Sequence, residues 1–271
     1  RNKLVELGFE CSSADPGMFQ QTHDSKRLIL LVYVDDIIMI GNCGQLRAKF
    51  IADIHRLWET TEVSELEWCL GIKIHYNKEK KFITLDQKLY ISDTIKRFFE
   101  DGVQCTPKRN NSPCSEEIRK LVKGAPDSTE TPQVIDTYRS LIGALLWIAN
   151  ITRPDISYAV STLAKFTSCP EQAHLKSAFA VLTYLAKTSH YQLPLGDFSG
   201  KDLCGQELKA PPTIIGFTDS SWGDEKPASG YCCYYKGSLI SWASRRLKTT
   251  PLSSCEAEYA AATNAASTLM H

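Results

Sequence analysis

Leu28-Ile29-Leu30-Leu31-Val32-Tyr33-Val34 runs directly into Asp35-Asp36 and then into Ile37-Ile38-Met39-Ile40. Two apolar runs of strand length, divided only by a pair of carboxylates, predict a β-hairpin whose turn is made of Asp35 and Asp36. One explanation of the pair is purely local, because an aspartate side chain bonds its own backbone and favours turns. The other is chemical. Adjacent carboxylates at the tip of an apolar hairpin repel one another and are relieved by a cation, and hard Mg²⁺ is held by carboxylates while keeping phosphate oxygens in its shell. Spacing alone leaves both open.

Working outward, Lys3 to Leu7 opens a segment that alternates strands with helices. Downstream, Leu70 to His75 and Phe82 to Leu85 predict a second strand pair joined by the polar Asn77 to Lys81, followed by a helix over Gln87 to Phe99. Residues 105–135 carry four prolines among polar residues and predict a linker and a domain boundary. Between 136 and 187 the residues Tyr138, Leu141, Ile142, Leu145, Leu146 and Ala149 recur at helical spacing, and Arg153-Pro154 interrupts before Ser157 to Phe166, so three helices are expected. Gly196 to Pro212 is a second irregular stretch. Beyond it come strands over Thr213 to Thr218, Tyr231 to Tyr235 and Ser238 to Trp242, with Lys236-Gly237 as the turn of the last pair, and a helix from about Ser254. The chain stops at His271 without a glycine or proline to end that helix, which suggests truncation.

The 271 residues, 43% of them hydrophobic, have room for two ordinary domains. Lys plus Arg equals Asp plus Glu at 31 each, so attraction to nucleic acid must come from local basic patches. Ten cysteines are scattered from Cys11 to Cys255 without secretory features and are read as reduced thiols. Cys232 and Cys233 are adjacent and point to opposite faces of a strand, which makes a zinc site unlikely to be built on them. The longest apolar run, Leu141 to Ala149, is about half the ~20 residues of a membrane-spanning helix. A soluble, intracellular protein with no membrane association is expected.

A second carboxylate set lies near the end. Asp219 ends a strand in Thr218-Asp219-Ser220-Ser221-Trp222, and Glu256 opens a helix in Ser253-Ser254-Cys255-Glu256. Metal-dependent hydrolysis can draw one acidic residue from each element, because two metals must flank one phosphate. Glu256 fits a capping box equally well, with Ser253 accepting from the third helical N–H and the glutamate reaching back to the serine N–H. Glu258, roughly 200° further round, is expected to face away from whatever Glu256 faces. Arg245, Arg246 and Lys248 form a basic run able to meet backbone phosphate, although such runs are often solvated faces.

Leu30-Leu31-Val32-Tyr33-Val34-Asp35-Asp36-Ile37 resembles the polymerase motif of copia-type retrotransposon reverse transcriptases, and Leu7-Gly8-Phe9, Ala14-Asp15-Pro16 and Leu70-Gly71-Ile72 fall where that family has them. Tyr138 to Gly143 and Thr152 to Ile156 resemble the segment joining polymerase to nuclease in the same family, so the likeness runs over essentially the whole chain. It implies an α+β fold: part of a reverse transcriptase palm and thumb over 1–104, a linker over 105–135, a helical connection over 136–212, and the N-terminal half of a ribonuclease H-like mixed sheet over 213–271. It implies that Asp35, Asp36, Asp219 and Glu256 are catalytic ligands of Mg²⁺, with Mn²⁺ as the alternative ion. Tyr33 and Val34 would then lie near the primer end, Leu70 and Gly71 in the hairpin gripping the primer, and Arg245, Arg246 and Lys248 along the nucleic acid. The implied partners are an RNA template, a DNA primer, an RNA/DNA hybrid and the rest of the Pol polyprotein, in a cytoplasmic retrotransposon particle. The family's sites also need an aspartate upstream of Arg1 and carboxylates downstream of His271, so the polypeptide alone is expected to be inactive. The rival expectation is a degenerate or repurposed remnant that binds nucleic acid or protein without chemistry. One departure from the pattern is Cys255, where the family commonly has Thr before the helix glutamate.

Overall fold

The computed structural model describes residues 1–60, 63–99, 112–122, 130–198, 213–223 and 227–270. The chain is a mixed α+β protein that divides into two compact units, Arg1–Leu66 and Glu67–Met270.

The first unit contains α1 (Asn2–Glu6), β1 (Glu10–Cys11), β2 (Met18–His23), β3 (Lys26–Tyr33), β4 (Asp36–Gly41) and α2 (Gly44–Leu57). Its strands form one antiparallel sheet in the order β1-β2-β3-β4. Leu28 and Leu30, both fully buried, point from β3 into a core with Leu4, Phe9, Phe19, Phe50 and Ile54. Phe50 and Ile54 lie one turn apart, so α2 lays a single apolar stripe on the sheet, and Phe50 meets Phe9 edge to face at 5.2 Å. Alternation puts Ile29, Leu31 and Tyr33, with their partners Ile40, Ile38 and Asp36, on the other face. There Tyr33 and Ile40 are exposed.

The second unit begins with β5 (Trp68–Cys69), β6 (Ile72–Asn77), β7 (Phe82–Asp86) and α3 (Lys88–Phe99). It continues with α4 (Glu116–Lys120), α5 (Pro132–Ile151), a 3-10 turn at Pro154–Ile156, α6 (Ser157–Ala164) and α7 (Gln172–Lys187). Then follow β8 (Leu193–Gly196), β9 (Ile214–Ser220), β10 (Ala228–Tyr235), β11 (Ser238–Arg246) and α8 (Ser254–Met270). Among the described residues these strands form two antiparallel sheets, ordered β5-β6-β7-β8 and β11-β10-β9. Most of the anticipated stripe of α5 is the heart of the helical core: Tyr138, Leu141, Ile142, Leu145 and Ala149 are buried against residues of α3, α6 and α7, together with Ile148, while Leu146 is half-buried. Pro132 occupies the first turn, where its missing N–H is no loss. The helix stops at Thr152, because Pro154 cannot supply the next bond. By length and composition alone α5 could cross a membrane, but its apolar stripe is buried within this unit.

The linker expected over 105–135 is not where the units divide; the division falls at Leu66/Glu67. Within that span Ile118 of α4 is buried in the same core as α5 and α7, and α5 itself starts at Pro132. The backbone N–H of Glu171 donates to Nδ1 of buried His174 at 2.9 Å, which leaves Nε2 as the donor to the Val122 carbonyl, also at 2.9 Å. The histidine thus caps α7 and holds the segment after α4. The stretch expected to be helical over 136–212 also supplies β8, which pairs with β7. The rest of the second irregular stretch, 199–212, lies outside the described residues. All eight cysteines that are described are free.

Candidate functional site

The pairing of Tyr33 with Asp36 makes Val34 and Asp35 the central residues of a two-residue turn. This corrects the expected turn by one position: Asp36 is the first residue of β4, and Asp35 alone is in the turn. Val34 has a φ of +51° and Asp35 does not share the positive sign, the pattern of a type II′ hairpin turn, which normally places glycine first. A β-branched residue is strained there. Nothing local offsets the strain, because Val34 is 81% exposed. Replacing it with glycine should therefore raise the unfolding free energy by about 1 kcal/mol, read as a higher midpoint in urea. A lower midpoint would mean that the valine side chain packs on something. Asp35 and Asp36 are exposed, and neither side chain has a hydrogen bond or ion pair among the described residues.

The hairpin β5–β6 has the same form, with Leu70 at φ +52° and Gly71 at +77° between the paired Cys69 and Ile72. Both signs positive define a type I′ turn. Behind it β6 is anchored through His75, whose Nε2 lies 3.0 Å from Oδ2 of buried Asp86. Burial pushes the Asp86 carboxyl up, but the Lys88 backbone N–H and the His75 and Gln192 side chains outweigh it and hold the group below its ordinary value.

In the second carboxylate set Glu256 takes the capping alternative, and Glu258 turns towards β9. Glu256 is a cap: its N–H donates to Ser253 Oγ at 3.2 Å, and its carboxylate accepts from the Leu252 N–H at 2.6 Å, one residue before the serine. Glu258, expected to face away, instead accepts at Oε1 from both the N–H and the hydroxyl of Ser220, at 3.2 and 2.8 Å. That brings its carboxylate to the residue following Asp219. Helix α8 covers the face of β9 that carries Gly216 and Ser220, as the close approach of Leu269 to Gly216 also indicates. Asp219, opposite Gly230, projects from the other face at the same strand end and has no partner among the described residues.

The basic run is not a single patch. Arg245 and Arg246 are consecutive residues of β11, opposite Ser229 and Ala228, and so leave the sheet on opposite faces. Lys248 lies beyond the strand, and all three are exposed. Among the described residues no three His, Cys, Asp or Glu side chains gather as a metal site.

The family model for reverse transcriptase (RNA-dependent DNA polymerase) matches residues 1–108, which include the Tyr-Val-Asp-Asp hairpin. The Pol polyprotein of transposon RE1 from Arabidopsis thaliana is 30% identical over 98% of this chain, and that of transposon TNT 1-94 from Nicotiana tabacum is 29% identical over 90%. The chain spans only 17% and 18% of those relatives' lengths. A putative transposon Ty5-1 protein of Saccharomyces cerevisiae is 29% identical over 95% of this chain and is itself 79% covered. No solved structure matches. The chain belongs to the copia-type retrotransposon Pol polyprotein family.

Proposed function

We propose that this chain is the part of a Pol polyprotein that supplies the carboxylate hairpin of an RNA-directed DNA polymerase, the helical thumb and connection behind it, and the opening strands and helix of a ribonuclease H. The observation that carries the reading is the hairpin tip: two uncommitted, exposed carboxylates on a turn whose valine is held at positive φ. Such donors fit a hard divalent cation, Mg²⁺ or Mn²⁺, because they are oxygen ligands with no competing partner. Bound there, the ion would neutralise charge on the attacking and leaving oxygens of phosphoryl transfer. The chain's own share is placement: β3 and β4 fix Asp36 on the open sheet face beside Tyr33, and Val34 projects toward the primer end. Strand β4 pairs only with β3 among the described residues, so its free edge could receive a further strand carrying another carboxylate.

In the nuclease part Asp219 and Glu258 both lie at the end of β9, on opposite faces of the strand, and Glu256 serves the helix. Strand β9 likewise has one free edge among the described residues. The partners are an RNA template, a DNA primer and their hybrid, within an intracellular particle built by the polyprotein.

A Mg²⁺ titration followed by ¹⁵N NMR tests the polymerase part. The amides of Val34, Asp35 and Asp36 should shift and saturate only at millimolar Mg²⁺ or above, since few protein ligands are present, and Asp35→Asn should abolish the response. An identical response in wild type and variant would remove the metal role and leave the non-catalytic remnant as the better account.

A further inference from the structure

Strand β11 is held at two points by parts of the second unit outside its own sheet. At its start Ser238, which is buried, accepts at Oγ from the Gly196 N–H at 2.8 Å and donates to the Gly196 carbonyl at 2.7 Å. One hydroxyl thus does for the last residue of β8 what the opposite residue of a paired strand does. The turn before Ser238 is tied to the same segment. The Phe198 N–H donates to the Lys236 carbonyl at 2.8 Å, and Lys236 Nζ meets Asp197 Oδ2 at 2.8 Å. Gly237, at φ +79°, leaves no room there for a side chain, since a Cβ would come within 2.9 Å of Phe198.

The second hold is Trp242, whose indole N–H donates to the Ala149 carbonyl at 2.8 Å. That carbonyl lies in the last turn of α5 and has lost its helical donor, because the Arg153 N–H turns to the Ile148 carbonyl instead. Between the two holds β11 carries a bulge: Cys233 pairs with Ser241 and Tyr234 with Leu239, which leaves Ile240 as the extra residue. Without the bulge Ser238 and Trp242 would share a face of the strand. With it they leave on opposite faces, about 12 Å apart along β11. A strand held once swings about its hold, whereas holds on both faces stop it from tilting and from rolling.

The register carries this constraint to the nuclease carboxylate. Ser244 pairs with Gly230 and Gly230 with Asp219, so Asp219 lies two strands across from β11 and two residues beyond Trp242, on the same face. From Trp242 to Asp219 is then roughly 12 Å, and a tilt of about 10° would carry the aspartate about 2 Å. Displacements of that size are enough to cost a hundredfold in rate.

We infer that Ser238 and Trp242 are positioning residues, which together fix the angle of the β9–β11 sheet on the helical core and through it the place of Asp219. The role given to Asp219 rests on the proposed nuclease reading; the two holds do not.

The test measures backbone amide residual dipolar couplings in the 271-residue chain, which report whether two parts share one orientation. In the wild type a single alignment tensor should fit α5, α7 and β9–β11 together. Ser238→Ala, and Trp242→Phe, which keeps an aromatic ring but deletes the N–H, should each need two tensors, with the smaller one for the sheet. Each part fitting its own tensor verifies that the variant is folded. The Gly196 amide should exchange about tenfold faster in Ser238→Ala. Ser238→Thr retains the hydroxyl and should restore the single tensor. In a Pol polypeptide long enough to cleave the RNA strand of a hybrid, Ser238→Ala and Trp242→Phe should cleave about tenfold more slowly at saturating hybrid, with an unchanged KM and cuts spread over neighbouring phosphodiesters. A single tensor in both variants would overturn the inference and leave the nuclease reading in place, and so would two tensors with wild-type rate and cut positions. Absence of cleavage by the longer wild-type polypeptide would instead overturn the nuclease reading, and the positioning of Asp219 with it.

Discussion

Arg153→Ala is expected to lower the unfolding free energy by about 2–3 kcal/mol, because the guanidinium is buried and charge-bonded although its partner Asp155 stays open to solvent. Arg153 is 1% exposed in the interior of the second unit. Its Nε and Nη2 donate to the two oxygens of Asp155 at 2.9 and 2.7 Å, the fork-on-fork geometry that only arginine provides. Nη1 donates to the Thr188 carbonyl at 3.0 Å and Nη2 to its hydroxyl at 2.6 Å, so the guanidinium ties the α5–α6 turn to the C-terminal end of α7. Tyr184 donates its hydroxyl to Asp155 at 2.9 Å, and the rings of Tyr184 and Tyr191 lie 5.6 and 5.1 Å from the guanidinium carbon. Burial, and then the neighbouring Asp155, pushes the Tyr184 phenol up, so it remains a donor across the physiological range.

Alanine would leave the Asp155 carboxylate and the Thr188 carbonyl without their main partner and open a cavity of arginine size. Lysine should recover only part of the loss, because an ammonium cannot make two parallel bonds to a carboxylate. Urea unfolding followed by tryptophan fluorescence reads the change, and the Arg153→Ala, Asp155→Ala pair completes a double-mutant cycle. A loss under 1 kcal/mol for Arg153→Ala would mean that the network is not what closes this end of the helical core.

The Thr-Arg-Pro-Asp segment shows how far the sequence could be read. Its proline announced the end of α5, but nothing in the spacing announced that the arginine beside it would be buried, because a charged residue at a helix break is ordinarily solvated. Elements with a strong period were legible: the α5 stripe, the β3–β4 hairpin and the Lys236-Gly237 turn all lie where expected. Strand β8 was hidden because Leu193-Pro194-Leu195-Gly196 contains the two residues that usually exclude a strand. Proline is tolerated there because β8 is an edge strand. Among its described residues the proline-rich stretch read as a linker has one buried side chain, Ile118, too little for any periodicity to reveal.

The turn at Val34-Asp35 was misplaced for a related reason. Carboxylates mark turns more strongly than valine does, and only the ladder between Tyr33 and Asp36 fixes the register. For the second carboxylate set a signal existed and went unused. Ala257, Ala261 and Ala265 recur every fourth residue and are the buried face of α8. At 100° per residue Glu258 lies roughly 60° from the middle of that stripe and Glu256 roughly 140° away. The small-residue stripe, and not the distance from Asp219 in sequence, tells which glutamate can reach the sheet.

That distinction gives the second large effect. In a Pol polypeptide long enough to cleave the RNA strand of a hybrid, Glu258→Gln should slow cleavage about a thousandfold, which is ~4 kcal/mol of transition-state stabilisation. Glu256→Gln should cleave at close to the wild-type rate and lose about 1 kcal/mol of stability as its helix cap weakens. The argument is geometric. A carboxylate already bonded to the Leu252 N–H and set beside its own helix terminus has its charge engaged by the helix, whereas Glu258 spans to Ser220 at the end of β9, the residue after Asp219 although on the other face of the strand, and leaves Oε2 uncommitted. Amide replaces carboxylate with little change of shape, so each substitution removes charge and leaves packing almost untouched. Single-turnover cleavage in saturating Mg²⁺ separates the chemical step from binding. Full activity in Glu258→Gln together with loss in Glu256→Gln would return the catalytic role to the capping residue and show that the helix terminus rearranges when metal and substrate bind.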